Sequence, residues 1–95
     1  MVTLVCDNII AENKLNVVAP YYAELVKYSR KHQGCISYDV YQSREVPNCL
    51  TFVETWMTDE DLDNHLNDPV FLQMFKKIEN YMIEPEVIRK MDNFL

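Results

Sequence analysis

The order in which hydrophobic spacing changes along this chain narrows its fold more than any single motif does. Val2 to Ile10 alternates, with Val2, Leu4, Cys6, Asn8 and Ile10 on one face and Thr3, Val5, Asp7 and Ile9 on the other. This predicts a strand that is apolar on much of both faces. From about Val17 to His32 the period becomes helical. Val18, Tyr22, Leu25, Val26 and Ser29 fall along one side, while Glu24, Lys27, Arg30 and Lys31 lie largely opposite. Asn16 is the expected cap, and Pro20 is tolerable because it falls near the first turn.

Gly34, the only glycine, follows the basic last turn of that helix, where a left-handed residue is cheapest without a β-carbon. Cys35 to Ser43 and Leu50 to Trp56 then read as strands rich in Tyr, Val, Ile, Thr and Phe, joined by the polar loop Arg44 to Asn48. Thr58 stands three residues ahead of Asp61 and opens a short acidic helix running to about Leu66. Asp68-Pro69 is a second helix start, after which Phe71, Met74, Phe75, Ile78 and Met82 recur at helical spacing up to Pro85. Val87 to Leu95 is the last predicted strand.

A βαββαβ order with right-handed crossovers closes as a four-stranded antiparallel sheet with both helices on one face, the ferredoxin-like α+β arrangement. Several strands carry apolar residues on both sides, so one helical layer would leave a large apolar patch bare. Dimerisation through the open face is the simplest remedy.

At 95 residues there is room for a single domain spanning 1–95. The 48% hydrophobic content is enough for a core, and one glycine with four prolines leaves little material for a linker. A net charge of -6 and a pI near 4.7 oppose binding to nucleic acid or to anionic membranes. No stretch approaches the roughly 20 apolar residues that a bilayer span needs, and the early Asp7 is unlike a secretory leader, so the expected location is cytoplasmic. Cys6, Cys35 and Cys49 are odd in number and form no CxxC pair, which favours small buried hydrophobes over disulfides or a thiolate metal site.

Absences restrict the chemistry further. One glycine cannot make a dinucleotide turn or a phosphate-cradling loop, both of which need close backbone approach to phosphate. His32 and His65 sit on different helices without a companion ligand at i+4, so no metal is expected. His65 lies beside Leu62 and Leu66 and is expected to point toward the sheet. There it is either a core histidine holding a backbone bond or a proton carrier near neutral pH. His32, at the charged end of the first helix, is expected to be a solvent-facing cation. Glu54 shares a strand face with Leu50, Phe52 and Trp56, so it must be paired, protonated or exposed, for example through a salt bridge to Arg89. Asn8 on an inner face could hold a substrate oxygen or satisfy backbone. Tyr21, Tyr22, Tyr28, Tyr38, Tyr41 and Tyr81 border an aromatic-rich core, which suits a flat, mostly apolar ligand.

The run Gly34-Cys35-Ile36-Ser37-Tyr38-Asp39-Val40-Tyr41, followed by Phe52-Val53-Glu54-Thr55-Trp56, then Leu62, His65 and Asp68-Pro69-Val70-Phe71, resembles the antibiotic-biosynthesis monooxygenase family. The resemblance spans roughly the whole chain and is more specific for fold than for substrate. It implies a dimeric α+β barrel with a pocket between sheet and helices in each subunit. The implied activity is a cofactor-independent monooxygenase that oxidises a quinol or polycyclic phenol with O2, the substrate supplying the electrons without metal or flavin. On that resemblance His65 assists deprotonation of the phenol, Asn8 hydrogen-bonds the oxyanion, and Trp56, Glu54, Tyr38 and Phe75 contact the substrate. A haem-degrading branch places an axial histidine and a pocket tryptophan where this chain has Phe75 and His65, which ranks haem degradation below the quinol reading. Two further alternatives are an isomerase of a small phosphorylated dione, using Lys14, Arg44 or Arg89 for phosphate, and a non-catalytic dimeric ligand-binding module.

Overall fold

The computed structural model describes all 95 residues. Strands β1 (Val2–Ile9), β2 (Cys35–Gln42), β3 (Cys49–Trp56) and β4 (Val87–Met91) form one antiparallel sheet in the order β2-β3-β1-β4. Helices α1 (Leu15–Ser29), α2 (Asp59–Leu66) and α3 (Pro69–Glu79) connect them, giving the expected ferredoxin-like arrangement with the second helical segment split in two. Val2 pairs with Trp56, Leu4 with Glu54, and Cys6 with Phe52. Because side chains alternate along a strand, this register puts Val2, Leu4, Cys6, Asn8, Phe52, Glu54, Trp56 and Tyr38 on one buried face. The alternation predicted for β1 is the one observed.

The helix boundaries differ from expectation in ways the local hydrogen bonds explain. α1 begins at Leu15, after a single 3-10 turn at Glu12–Lys14, so Asn16 lies inside the helix and caps nothing. The preceding turn, closed by the Lys14 amide donating to the Ala11 carbonyl at 2.9 Å, supplies the alignment a side-chain cap would give. Pro20 sits in the second turn, where both it and Asn16 face solvent and water can satisfy the freed carbonyl. α3 stops at Glu79, six residues before Pro85. There the Ala11 amide donates to the Tyr81 carbonyl and the Ile83 amide to the Ile9 carbonyl, both at 2.9 Å, drawing the chain out of the helix and onto the end of β1. β4 ends at Met91, opposite Thr3, because β1 has almost no residues left to pair beyond that point. Phe94 and Leu95 run on exposed.

The helix starts and the reversal before β2 follow the sequence signals. The Thr58 hydroxyl accepts from the Asp61 amide at 3.1 Å, and the Asp68 carboxylate from the Val70 amide at 2.8 Å. Gly34 adopts φ +80°, its carbonyl accepts from the Met57 amide at 2.8 Å, and a β-carbon there would collide with the Asp61 side chain.

On the open face of the sheet the large apolar patch expected from sequence is broken by polar pairs. Thr3 and Thr55 hydroxyls meet at 3.0 Å, and Thr51 donates to Asp7 at 2.7 Å, between Val5, Ile9 and Val53. Arg89, opposite Val5, also belongs to this face and therefore makes no salt bridge to Glu54 on the other side. No helix is long and apolar enough to cross a membrane.

Candidate functional site

α3 packs chiefly on α1, which leaves a gap between α3 and the β1-β4 side of the sheet. The gap is a cavity of about 260 Å³. Leu4, Cys6, Phe52, Tyr38 and Glu54 rise from the sheet as its floor, while Leu66, Phe71, Leu72, Phe75 and Glu79 descend from the helices. Glu86 and Ile88 close the β4 side. The walls are mainly apolar and aromatic, with three carboxyl groups and one phenol as their polar elements.

Glu54 is the most deeply placed of these acids, only 2% exposed. Its Oε1 accepts from the Trp56 indole N–H at 3.1 Å, and the Tyr38 phenol lies beside it. Burial pushes its pKa up to about 7, because these hydrogen bonds to the charged form offset only part of the desolvation, and the Glu86 charge adds to the rise. The sequence left Glu54 paired, protonated or exposed; it is buried, hydrogen-bonded and poised near neutrality.

Glu86, half-buried at the rim, accepts from the Asn8 amide at 2.6 Å, and burial raises its pKa. Asn8 in turn accepts from the Tyr22 hydroxyl at 2.7 Å. Asn8 is fully buried one layer behind the wall and reaches the cavity through Glu86. Cys6 lines the cavity, but burial raises its thiol well above the usual range, so it stays protonated and poorly nucleophilic.

His65 is also behind the wall. Its ring stacks on Trp56 at 4.6 Å and meets Phe71 at 4.2 Å and Tyr38 at 5.3 Å. Burial, with His32 nearby, lowers its pKa to about 3, so it is a neutral imidazole at physiological pH. Its Nδ1 lies 2.9 Å from Nδ1 of His32, and its Nε2 lies 3.7 Å from Glu54 Oε1. His32 is not the solvent-facing cation expected from sequence. α1 ends at Ser29, so helical phase no longer governs residue 32, and the turn before Gly34 swings the ring inward. It packs edge-on to Tyr28 at 4.7 Å, and its Nε2 comes within 2.7 Å of Asp68 Oδ2, outside good hydrogen-bond alignment. The Tyr28 hydroxyl donates to the same Asp68 oxygen at 2.7 Å, which holds that carboxyl below its usual range.

Of the residues singled out from sequence, Glu54, Tyr38 and Phe75 share the cavity wall, Trp56 and His65 stand directly behind it, and Asn8 is further back. Sequence reasoning missed Glu79, Glu86 and the inward turn of His32. Glu86 falls in the aperiodic stretch Glu84-Pro85-Glu86, where no pattern marks it. No three His, Cys, Asp or Glu side chains converge in a metal-binding arrangement.

Fold and site together define a small α+β protein with an apolar cavity bordered by ionisable side chains. Residues 1–77 match the sequence pattern of the antibiotic biosynthesis monooxygenase family, and the chain belongs to that family. A crystal structure of an antibiotic biosynthesis monooxygenase superposes with a TM-score of 0.94 at 24% identity, covering 100% of both chains. A conserved protein from Methanosarcina mazei Go1 gives a TM-score of 0.90 at 27% identity, over 95% of this chain and 89% of that one. A protein from Shewanella oneidensis gives 0.85 at 23% identity, over 95% and 87%. No functionally curated protein matches the chain by sequence.

Proposed function

We propose that the chain is a cofactor-independent monooxygenase that oxidises a quinol or polycyclic phenol with O2 in the cavity between α3 and the sheet. The observation that carries this reading is a carboxyl group with a pKa near 7 on the wall of an aromatic, largely apolar cavity. Glu54 takes the phenolic proton, since a base works best when its pKa lies near the operating pH. His65, with a pKa near 3, supports Glu54 from behind. The anion left on the ring gives its electrons to O2. A ring C–H becomes C=O with one oxygen atom, the other leaves as water, and the substrate supplies all four electrons. Tyr38 and Phe75 hold the flat ring, Trp56 fixes Glu54, and Asn8 fixes Glu86 at the rim.

None of Lys14, Arg44 and Arg89 lines the cavity, whereas Glu54, Glu79 and Glu86 do. That balance disfavours a phosphorylated dione, whose anion would meet like charges. Phe75 on the wall offers no axial ligand for haem. The setting we propose is a reducing cytoplasm, where Cys6, Cys35 and Cys49 remain free thiols.

The test is oxygen uptake by metal-stripped protein offered a panel of quinols and anthrones, with quinone formation followed by absorbance and autoxidation subtracted. Saturable uptake is expected. If uptake never exceeds autoxidation while the same compounds bind, the chain is a ligand-binding module and the monooxygenase reading is lost.

We further propose a homodimer through the open sheet face, where Val5 and Val53 are paired across β1 and β3 and Tyr41, Val87 and Met91 stand exposed nearby. Light scattering should give twice the 11.3 kDa chain mass, and Val53→Arg, which buries a charge at the centre of that face, should give the monomer. A wild-type monomer at micromolar concentration would rule this interface out.

A further inference from the structure

Two features of the histidine pair stand apart from the cavity itself. Each imidazole turns Nδ1 to the other ring and Nε2 to a carboxylate, giving the sequence Glu54, His65, His32, Asp68 with gaps of 3.7, 2.9 and 2.7 Å. Neither Nε2 has a hydrogen-bond partner, although both atoms are buried, and such orphaned donors or acceptors are uncommon in folded proteins. At the outer end lies a small cleft of about 150 Å³ lined only by polar residues, among them His32, Asn64, Asp61 and Asp68; His65 borders it too, but with its Nε2 buried it turns only Nδ1 outward, onto His32. At the inner end Glu54 faces the apolar cavity. The chain of four groups therefore joins two separate openings through the core.

We infer that Glu54 exchanges its proton with solvent through His65 and His32, with Asp68 as the outer anchor. This rests on Glu54 being the group that receives the substrate proton. In the loaded state Glu54 is a neutral acid donating to Nε2 of His65, Nδ1–H of His65 donates to Nδ1 of His32, and Nε2–H of His32 faces the Asp68 carboxylate. Transfer moves one proton from Glu54 to Nε2 of His65 while another moves from Nδ1 of His65 to Nδ1 of His32. Glu54 becomes a carboxylate, His65 exchanges tautomers and stays neutral, and His32 becomes an imidazolium paired with Asp68. His32 then releases its Nε2 proton to water in the polar cleft, and uptake of a proton there runs the same two shifts in reverse and returns Glu54 to its acid form, so the path exchanges the Glu54 proton in either direction. A concerted shift never leaves a full charge on His65, which its enclosure by Trp56, Phe71 and Tyr38 disfavours. At 3.7 Å the Glu54–His65 step is longer than a hydrogen bond, and transfer occurs when side-chain motion brings the two within reach. The charged and titratable groups facing the pair are Glu54 from β3, Tyr38 from β2, Tyr28 from α1, Asp61 from α2 across the cleft and Asp68 at the start of α3.

Trp56 is the only tryptophan, and its indole donates to Glu54, so its fluorescence reports that carboxyl's ionisation. The experiment is a rapid pH jump across the Glu54 transition, followed by Trp56 fluorescence with no substrate present. Relative to wild type, His32→Gln should relax roughly tenfold or more slowly, because an amide keeps a hydrogen bond to His65 but cannot pass a proton on. Asp68→Asn, which retains the helix cap, should slow the relaxation as well. Added imidazole should restore speed to His32→Ala by occupying the vacated outer position. Glu54→Gln should abolish the signal. Wild-type rates in both His32→Gln and Asp68→Asn would mean that Glu54 exchanges directly through the cavity, and a fluorescence transition surviving in Glu54→Gln would place the titrating group elsewhere; either result overturns the relay. Because no substrate is used, a failed relay leaves the oxygen-uptake result standing, and a failed oxygen assay leaves the relay standing.

Discussion

Trp56→Ala is expected to destabilise the fold by about 3–5 kcal/mol, seen as a drop in the urea midpoint followed by far-UV circular dichroism. Trp56 is completely buried at the end of β3, paired with Val2 on one side and Cys35 on the other. Its ring stacks on His65 and lies edge-on to Tyr38 at 6.3 Å, so truncation opens a hole where three strands and α2 meet. It also removes the indole N–H that Glu54 accepts, leaving a buried carboxyl with one donor fewer. Domains of this size are stable by only about 5–15 kcal/mol, so the variant should be close to unfolding. Trp56→Phe separates the two effects. It keeps most of the ring volume, should cost about 1 kcal/mol for the lost hydrogen bond, and should push Glu54 further toward the neutral acid. A Trp56→Ala protein as stable as wild type would mean the ring is not a core element.

Glu54→Gln should lower substrate oxidation by about 10²–10⁴-fold, the usual contribution of a positioned base, while leaving ligand binding largely intact. Its effect on stability carries the opposite sign from that of most carboxylates. The folded pKa is raised from 4.5 to about 7, so between those values the folded protein holds a proton that the unfolded chain has released. The stabilisation due to Glu54 is therefore complete below pH 4.5 and is lost as pH rises to 7, about 3 kcal/mol in all. His65 works the other way. Its pKa falls from 6.5 to about 3, so its neutral burial destabilises the fold progressively as pH falls below 6.5. Between pH 4.5 and 6.5 the two slopes oppose each other in the wild type. Removing Glu54 should unmask the histidine, so that Glu54→Gln gains stability across that interval relative to wild type. Urea unfolding of both proteins at half-unit pH steps measures the difference directly. Parallel curves from pH 4.5 to 7 would show that Glu54 titrates at its ordinary value.

The features legible in sequence were those set by local rules. Alternation in β1 and β3 placed Glu54 and Trp56 on the core face, Thr58 and Asp68 marked the helix starts, and Gly34 marked the one left-handed turn. What was missed depended on contacts between distant segments. α3 ends where the end of β1 captures residues 81–83, and nothing within residues 79–85 announces that pairing. A basic helix end predicts an outward His32, but α1 stops at Ser29 and the turn that follows points the ring inward. Opposite charge suggests a pairing of Arg89 with Glu54, but strand register puts them on opposite faces of the sheet. The candidate site shows the same division: strand alternation places Glu54 on the inner face and the family resemblance names Tyr38 and Phe75, whereas Glu86 reaches the cavity only because the chain returns beside β1.

The division of the cavity between sheet and helix bears on how such a protein can diversify. Phe71, Leu72 and Phe75 on α3 shape the space, while Glu54 and its indole donor belong to β3. Phe71 also packs on His65, but Leu72 and Phe75 touch neither Glu54's indole donor nor the histidine, so substitutions at those two positions can remodel what fits without disturbing the acid's supports. If the proposed chemistry holds, a change at Leu72 or Phe75 should alter which ring fits while the acid on β3 stays in place.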